Sequence, residues 1–241
     1  MRVAAIIPAA GVGRRMQHRL PKQYLTLGDR PLLAVTLAVF EQLPEITEIT
    51  VVAQPAALAF CQDQVITPYG FKKVLRLVPG GKERQDSVYN ALKVLQRQNQ
   101  WDIFLVHDGV RPFVTGAEIR RVLHSARTHG AAILACPVQD TVKQVNREGQ
   151  IQKTLNRQEI WLAQTPQAFR ADILWRAFVE AHGREFYGTD EASLVEALGL
   201  PVRVEPGSSL NIKVTTPEDL ILAAAIYQER ERSKPCQPPA E

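Results

Sequence analysis

The chain has 241 residues, 45% of them hydrophobic, which is enough apolar material for one large core. Its 29 Lys and Arg stand against 25 Asp and Glu, and only 7% of the residues are aromatic; so small a cationic surplus argues against a nucleic-acid face and suits an anionic small molecule. Cys61, Cys136 and Cys236 are odd in number and lack C-x-x-C spacing, so they indicate neither a disulfide framework nor a zinc site and fit a reducing cytosol.

The first apolar run, VAAIIP at 3–8, ends at Pro8 and is soon followed by Arg14 and Arg15, so it reads as a buried strand and not as a signal-peptide core. Beyond it, helical periodicity at 31–43, 55–66, 84–98 and 116–129 alternates with the apolar runs EITVVAQ, KVLRLVP, DIFLVH and AAILACP. Strands that are apolar on both faces and alternate with helices predict a three-layer α/β/α, Rossmann-like fold with a mostly parallel sheet. Thr115 and Glu118 make a predicted capping box, and Gly130 stands where a C′ glycine closes that helix. Residues 138–156, VQDTVKQVNREGQIQKTLN, alternate polar and apolar about a turn at NREG and predict a two-stranded hairpin arm. By pattern alone, that arm packs on a second subunit or lies flat on its own domain. Thr216 ahead of Pro217 starts the last helix. The Pro-rich segment 233–241 is expected to be a disordered tail on a single domain spanning 1–232. The longest uncharged runs, PLLAVTLAVF and LILAAAIY, fall well short of the roughly 18 residues that span a membrane.

The segment IIPAAGVGRRMQHRLPKQY places two glycines and then four cations directly after the first strand, as expected for a loop whose free N–H groups hold a multiply charged phosphate. GVGRRM lacks the third glycine of a dinucleotide fingerprint, and EITVVAQ ends in Gln54 where that fingerprint wants an acid. A P-loop is also absent, because Glu83 follows GGK and Arg76 stands where its first glycine belongs.

PAAGVGRRM joined to PKQY resembles the loop of nucleotidyltransferases that activate sugar and polyol phosphates. With GGKERQDSV, VHDGVRPF, PVQDTVK, TPQAF, TDEASL and NIKVTTPEDL, in that order from about residue 3 to residue 227, the chain is similar to the 2-C-methyl-D-erythritol 4-phosphate cytidylyltransferase family. The resemblance implies attack of a polyol phosphate on the α-phosphorus of CTP, with Mg²⁺ or another divalent cation present. It implies Arg15 and Lys22 as transition-state stabilisers, and Ala9, Ala10, Gly11, Gly13, Gly81 and Ser87 as the nucleotide site. It further implies that Arg157 and Lys213 position the polyol phosphate with Thr141, Thr165 and Thr189, and that the hairpin arm crosses a homodimer to the neighbouring site.

A phosphomonoester nucleophile is already largely anionic at neutral pH and needs no general base, in keeping with a sequence lacking any evident Ser-His-Asp or Cys-His set. Asp108, just past DIFLVH at the carboxyl edge of the sheet, is a candidate Mg²⁺ ligand or else a loop carboxylate paired with Arg111. His107 reads as a packed strand-end residue, Arg14 and Arg19 as a solvated turn, and Lys82 carries no assigned role. Asp86, Ser87 and Thr189 also have capping readings. The rival functions are a cytidylyltransferase for another polyol phosphate such as ribitol 5-phosphate, and a non-catalytic nucleotide-binding module. A glycosyltransferase is disfavoured, because no two aspartates stand two positions apart.

Overall fold

The computed structural model describes residues 1–11, 20–98 and 100–233. Strand β1 (Val3–Pro8) is followed, beyond the turn Lys22–Tyr24, by the short pair β2 (Thr26–Leu27) and β3 (Arg30–Pro31) and by α1 (Leu32–Glu41). Next come β4 (Glu48–Ala53), α2 (Leu58–Cys61), β5 (Val74–Pro79), α3 (Arg84–Gln96), β6 (Ile103–Val106), α4 (Gly116–His129) and β7 (Ala131–Pro137). The hairpin β8 (Lys143–Val145) and β9 (Ile151–Thr154) leads to β10 (Trp161–Arg170), α5 (Ala171–Gly183), α6 (Glu191–Glu196), β11 (Arg203–Pro206) and α7 (Pro217–Arg232).

Seven strands form one sheet in the order β11-β7-β10-β6-β1-β4-β5. All neighbours pair in parallel except β10, which runs antiparallel to both β6 and β7. β1 shows why both faces are covered. Val3, Ala5 and Ile7 join a core with Leu33, Leu37 and Phe40 of α1 and Ile119, Val122 and Leu123 of α4. Ala4 and Ile6 join an opposite core with Val88 and Leu92 of α3 and Leu174 and Phe178 of α5. β1 is therefore apolar throughout and flanked by helices on two sides, the three-layer arrangement expected of such runs. A third, smaller cluster seats Ala223 and Ile226 of α7 on Val110, Phe113 and Leu27.

The predicted strand positions agree closely with those observed, and so do the caps. Glu118 N–H donates to Thr115 Oγ1 at 3.2 Å while Thr115 N–H donates to Glu118 Oε2 at 2.8 Å, and Gly130 closes α4 at φ +93°. Thr216 caps α7 with Asp219 in the same reciprocal way. The helical stretch predicted at 55–66 is broken in geometry: a 3₁₀ turn at Pro55–Ala57, one α turn and then a wider π turn at Gln62–Ile66. Pro55 fixes the entry, and burial of Cys61, Val65 and Ile66 against the core sets the winding beyond it. The predicted tail, apart from Ser233, lies outside the described residues.

The hairpin forms as predicted, around Asn146 and a Gly149 with φ +81°, and all residues of its two strands are exposed. It does not lie flat on its own domain. Thr115→Ala is expected to lower unfolding stability by about 1 kcal/mol with an unchanged denaturant slope, checked by chemical denaturation monitored by circular dichroism.

Candidate active site

At the carboxyl end of β6 the chain turns through His107, Asp108 and Gly109. Gly109 has no room for a side chain, since a Cβ there would meet Leu33 Cδ1 at 2.9 Å and Ala9 Cβ at 3.3 Å. Asp108 is thus pressed into the edge of the sheet, 5% exposed. Three cations surround its carboxylate. Arg84 Nε donates to Oδ1 at 3.1 Å, Lys213 Nζ lies 2.9 Å from Oδ2, and Arg111 Nε lies 3.5 Å from Oδ2. Burial alone would raise the Asp108 carboxyl, but Arg84, then Lys213 and Arg111, outweigh it and hold the group well below the usual carboxylate range.

Each cation comes from a different element and is itself fixed. Arg84 is the first residue of α3 and makes a bidentate pair with the buried Glu191 of α6, at 2.7 and 3.0 Å. Arg111 Nη1 donates to the Asn211 carbonyl at 2.7 Å. Lys213 is carried by the loop before α7, which is pinned where Val214 N–H meets Val110 O and where Asn211 Nδ2 donates to Thr165 O at 2.9 Å.

Thr165 on β10 closes the arrangement. Its hydroxyl accepts from Asp108 N–H at 3.0 Å and lies 3.1 Å from His107 Nδ1. His107 Nε2 faces the Arg111 carbonyl at 3.0 Å, so it must donate, and Nδ1 must accept from Thr165. Both ring nitrogens are then committed in the neutral form, and burial pushes His107 down to about 4, against the Arg111 carbonyl, which favours the charged ring. His107 is the packed strand-end residue the sequence suggests.

A cavity of about 230 Å³ opens on this cluster, lined among others by Asp108, Lys213, Thr165, Thr189 and Gln167. Gly81 and Ser87, which the resemblance assigns to the nucleotide, lie in the turn before α3 and in its first helical residues, beside Arg84 of the cavity lining. The Gly80–Gly81 turn is packed so tightly on Ala10 and Ser87 that a Cβ on Gly80 would overlap Ala10 Cβ. Ser87 Oγ accepts from Gly81 N–H and donates to Glu83 O, both at 3.0 Å, so its hydroxyl shapes the turn itself. Asp86 answers Glu83 N–H at 2.9 Å in the capping box of α3, and Asp190, not Thr189, caps α6 by accepting from Ser193 N–H at 3.0 Å. Ala9 N–H is held by Val52 O at 2.7 Å, and the buried Gln23 donates to Ala9 O at 2.6 Å, which ties Lys22 and its turn to the start of the loop. Gly11 follows directly. Gly13 and Arg15, with Arg14 and Arg19, lie outside the described residues.

Thr165, Thr189, Lys213 and Asp108 are therefore brought together, whereas Thr141 and Arg157 are not among the lining residues. Both are exposed at the base of the arm, where Arg157 Nη1 donates to Gln139 O at 2.7 Å. Sequence reasoning missed Arg84, Glu191, Gln167 and Gln23. A charged residue opening a helix just after a Gly-Gly turn was the available signal for Arg84. The other three carry no local signal.

Among the described residues, no three His, Cys, Asp or Glu side chains gather as a metal site. A divalent ion here would have one carboxylate, Asp108, and would draw its other ligands from phosphates and water, as Mg²⁺ commonly does.

Converging cations and a Gly turn at the carboxyl edge of a mostly parallel sheet define an α/β nucleotidyltransferase. The model of the 2-C-methyl-D-erythritol 4-phosphate cytidylyltransferase (IspD) family matches residues 3–229, and the chain belongs to that family. It is 50% identical to the enzyme of that name from Syntrophus aciditrophicus over 230 residues, 95% of this chain and 97% of the relative. It is 47% identical to that of Geobacter metallireducens, covering 95% of this chain and 99% of the relative. The crystal structure of 4-diphosphocytidyl-2C-methyl-D-erythritol synthase from Anaerococcus prevotii superposes with a TM-score of 0.83 at 33% identity, over 94% of this chain and 96% of that one. For the Thermus thermophilus cytidylyltransferase the TM-score is 0.77 at 35% identity, over 95% and 100%.

The His107 geometry gives a pH dependence with a definite sign. The unfolded histidine takes up a proton near pH 6.5 that the folded one refuses until about 4, so its stability contribution is complete above pH 6.5 and is lost as pH falls toward 4. Unfolding free energy is expected to drop by about 2 kcal/mol between pH 7.5 and 5, and His107→Gln should flatten that segment in denaturant titrations. A slope that persists in the variant overturns the assignment.

Proposed function

We propose that this chain transfers CMP from CTP to 2-C-methyl-D-erythritol 4-phosphate, releasing pyrophosphate. The observation that carries the reading is the convergence of Arg84, Arg111 and Lys213 on Asp108 beside the Gly80–Gly81 turn, in a chain of this family. On this reading the backbone N–H groups of Ala10, Gly11 and Gly13 and the Gly81 turn hold the nucleotide, the Ala9 N–H being engaged by Val52 O, and Ser87 acts by keeping the Gly81 turn in shape. Lys213 and Thr189 hold the polyol phosphate against the α-phosphorus, while Thr165, its hydroxyl hydrogen committed to His107, orders the Asp108 turn beside them. Arg15 and Lys22 balance the charge that builds as the pyrophosphate leaves.

Proton abstraction has no part in this scheme. The attacking phosphate is already ionised, and His107 has both nitrogens engaged. Asp108, kept anionic by its cations, would be the protein ligand of Mg²⁺. Bound there with the triphosphate, that ion would supply charge neutralisation at the phosphate oxygens.

The protein acts as a homodimer on this reading, with the arm of one subunit carrying Thr141 and Arg157 to the other's site. Support comes from the arm itself: two exposed strands are marginal alone in water, and Val145 (52% exposed) and Ile151 (64% exposed) leave apolar surface for a partner to cover. Free Cys61 and Cys136 suit the cytosol as its location. No helix among the described residues is long and apolar enough to cross a membrane.

Pyrophosphate release with CTP and Mg²⁺ tests the reaction. Release is expected with 2-C-methyl-D-erythritol 4-phosphate and at most marginally with ribitol 5-phosphate. Preference for ribitol 5-phosphate would keep the mechanism and overturn the substrate, and release with neither would overturn catalysis of this kind. The dimer predicts that Ile151→Asp yields monomers in sedimentation velocity and lowers kcat/KM at least about tenfold. A monomeric wild-type enzyme at full activity would refute it.

A further inference from the structure

Arg84 and Glu191 are 107 residues apart in sequence and meet in a bidentate ion pair whose third guanidinium nitrogen grips Asp108. Arg84 opens α3 three residues after Gly81 of the nucleotide turn, and Glu191 opens α6 two residues after Thr189 of the polyol side. One planar group therefore spans the nucleotide turn, the Asp108 carboxylate and the polyol-side loop.

Neighbouring contacts stiffen the same bridge. Gln85, next to Arg84, clasps the loop ahead of α6 from both sides, donating from Nε2 to Phe186 O and accepting at Oε1 from Gly188 N–H, each at 2.9 Å. Gln167 holds the start of α6 from below, donating to Asp190 Oδ2 at 2.8 Å and accepting from Ala192 N–H at 3.0 Å. Glu191 is 1% exposed and cannot relax into water.

We propose that Arg84, clamped by Glu191, is a positioning residue of the transfer reaction: it aims the Asp108 carboxylate and fixes the spacing between the nucleotide turn and the polyol-side loop. A guanidinium suits this task, because its rigid fork satisfies Glu191 with two nitrogens while the third stays directed at Asp108; a lysine at 84 reaches one carboxylate or the other. Arg84 acts through Asp108 and need not touch either substrate.

The inference rests on the reaction proposed above, and one double-mutant cycle tests it. Glu191→Gln should lower kcat about tenfold or more, while the Kd for CTP measured by calorimetry stays within about twofold. Arg84→Lys should not restore the rate. In an Asp108→Asn background, Glu191→Gln should cause little further loss, since its effect passes through the carboxylate already removed. Glu191→Asp, which keeps the charge and shortens the reach, provides the same cycle if the glutamine variant does not fold. A purely structural pair would lower the melting temperature, leave kcat of the folded enzyme unchanged and give additive losses in the cycle, and that result overturns the proposal. Absence of wild-type turnover would overturn the reaction and this inference together, whereas wild-type turnover that survives Glu191→Gln would overturn this inference alone.

Discussion

A single carboxylate, Asp108, is kept ionised out of water by cations drawn from three places in the chain. Burying such a group is unfavourable unless it is paired and hydrogen-bonded, and removing any one partner leaves the rest poorly compensated. The arrangement therefore constrains far more than itself. The start of α3, the turn after β6 and the loop before α7 must all arrive at the same sheet edge, and each is tied down for that purpose: Arg84 by Glu191, Arg111 by the Asn211 carbonyl, and the Lys213 loop by Val110 and Thr165. Well-packed apolar residues could stabilise a domain at least as well. In the proposed reaction, the charged cluster provides a set of fixed cations at the place where phosphates are held.

β10 makes this possible because it breaks the parallel rule. A strand entering against its neighbours delivers its middle, not its end, to the carboxyl edge of β6, and a register irregularity between Ala163 and Gln167 loosens the ladder there. Three side chains from that stretch each hold a different loop. Gln164 takes the Ser208 carbonyl and the Asn211 amide, Thr165 takes Asp108 and His107, and Gln167 takes the start of α6. These residues are buried and polar, and nearly every polar group they bring is matched, as a low-dielectric site demands.

The same feature explains what was legible in the sequence. Strands β1, β4, β6 and β7 announce themselves as continuous apolar runs, and the Thr115 and Thr216 caps are written in three or four adjacent residues, because the forces that make them are local. β10 hides, since Gln164, Thr165 and Gln167 are polar for the sake of the loops they anchor and Pro166 interrupts any strand pattern. The competing readings of Asp108 could not be separated for a related reason. Arg111 stands three residues away and is visible, but Arg84 is 24 residues distant and Lys213 is brought back only by the 207–214 loop. Only the folded chain reveals that the carboxylate has three cationic partners. Thr189 carries a capping reading because its motif opens a helix, yet Asp190 one position on makes the reciprocal bonds with Ser193.

The arm belongs to this logic as well. Its strands leave the body where β7 and β10 stop pairing, at Pro137 opposite Trp161, and Val138 N–H still bonds to Ile160 O across the gap. The arm thus extends the ladder that carries Thr165, and its direction is set by the strand that organises the cavity. Arg157 and Thr141 are exposed at its base and do not line the cavity of their own Asp108 cluster. In the proposed dimer a second copy covers the arm, so burying Val145 and Ile151 and completing the neighbouring site become one event. Dissociation would then expose apolar surface and dismantle the substrate site together, which gives the enzyme no active monomer from which assembly could be separated.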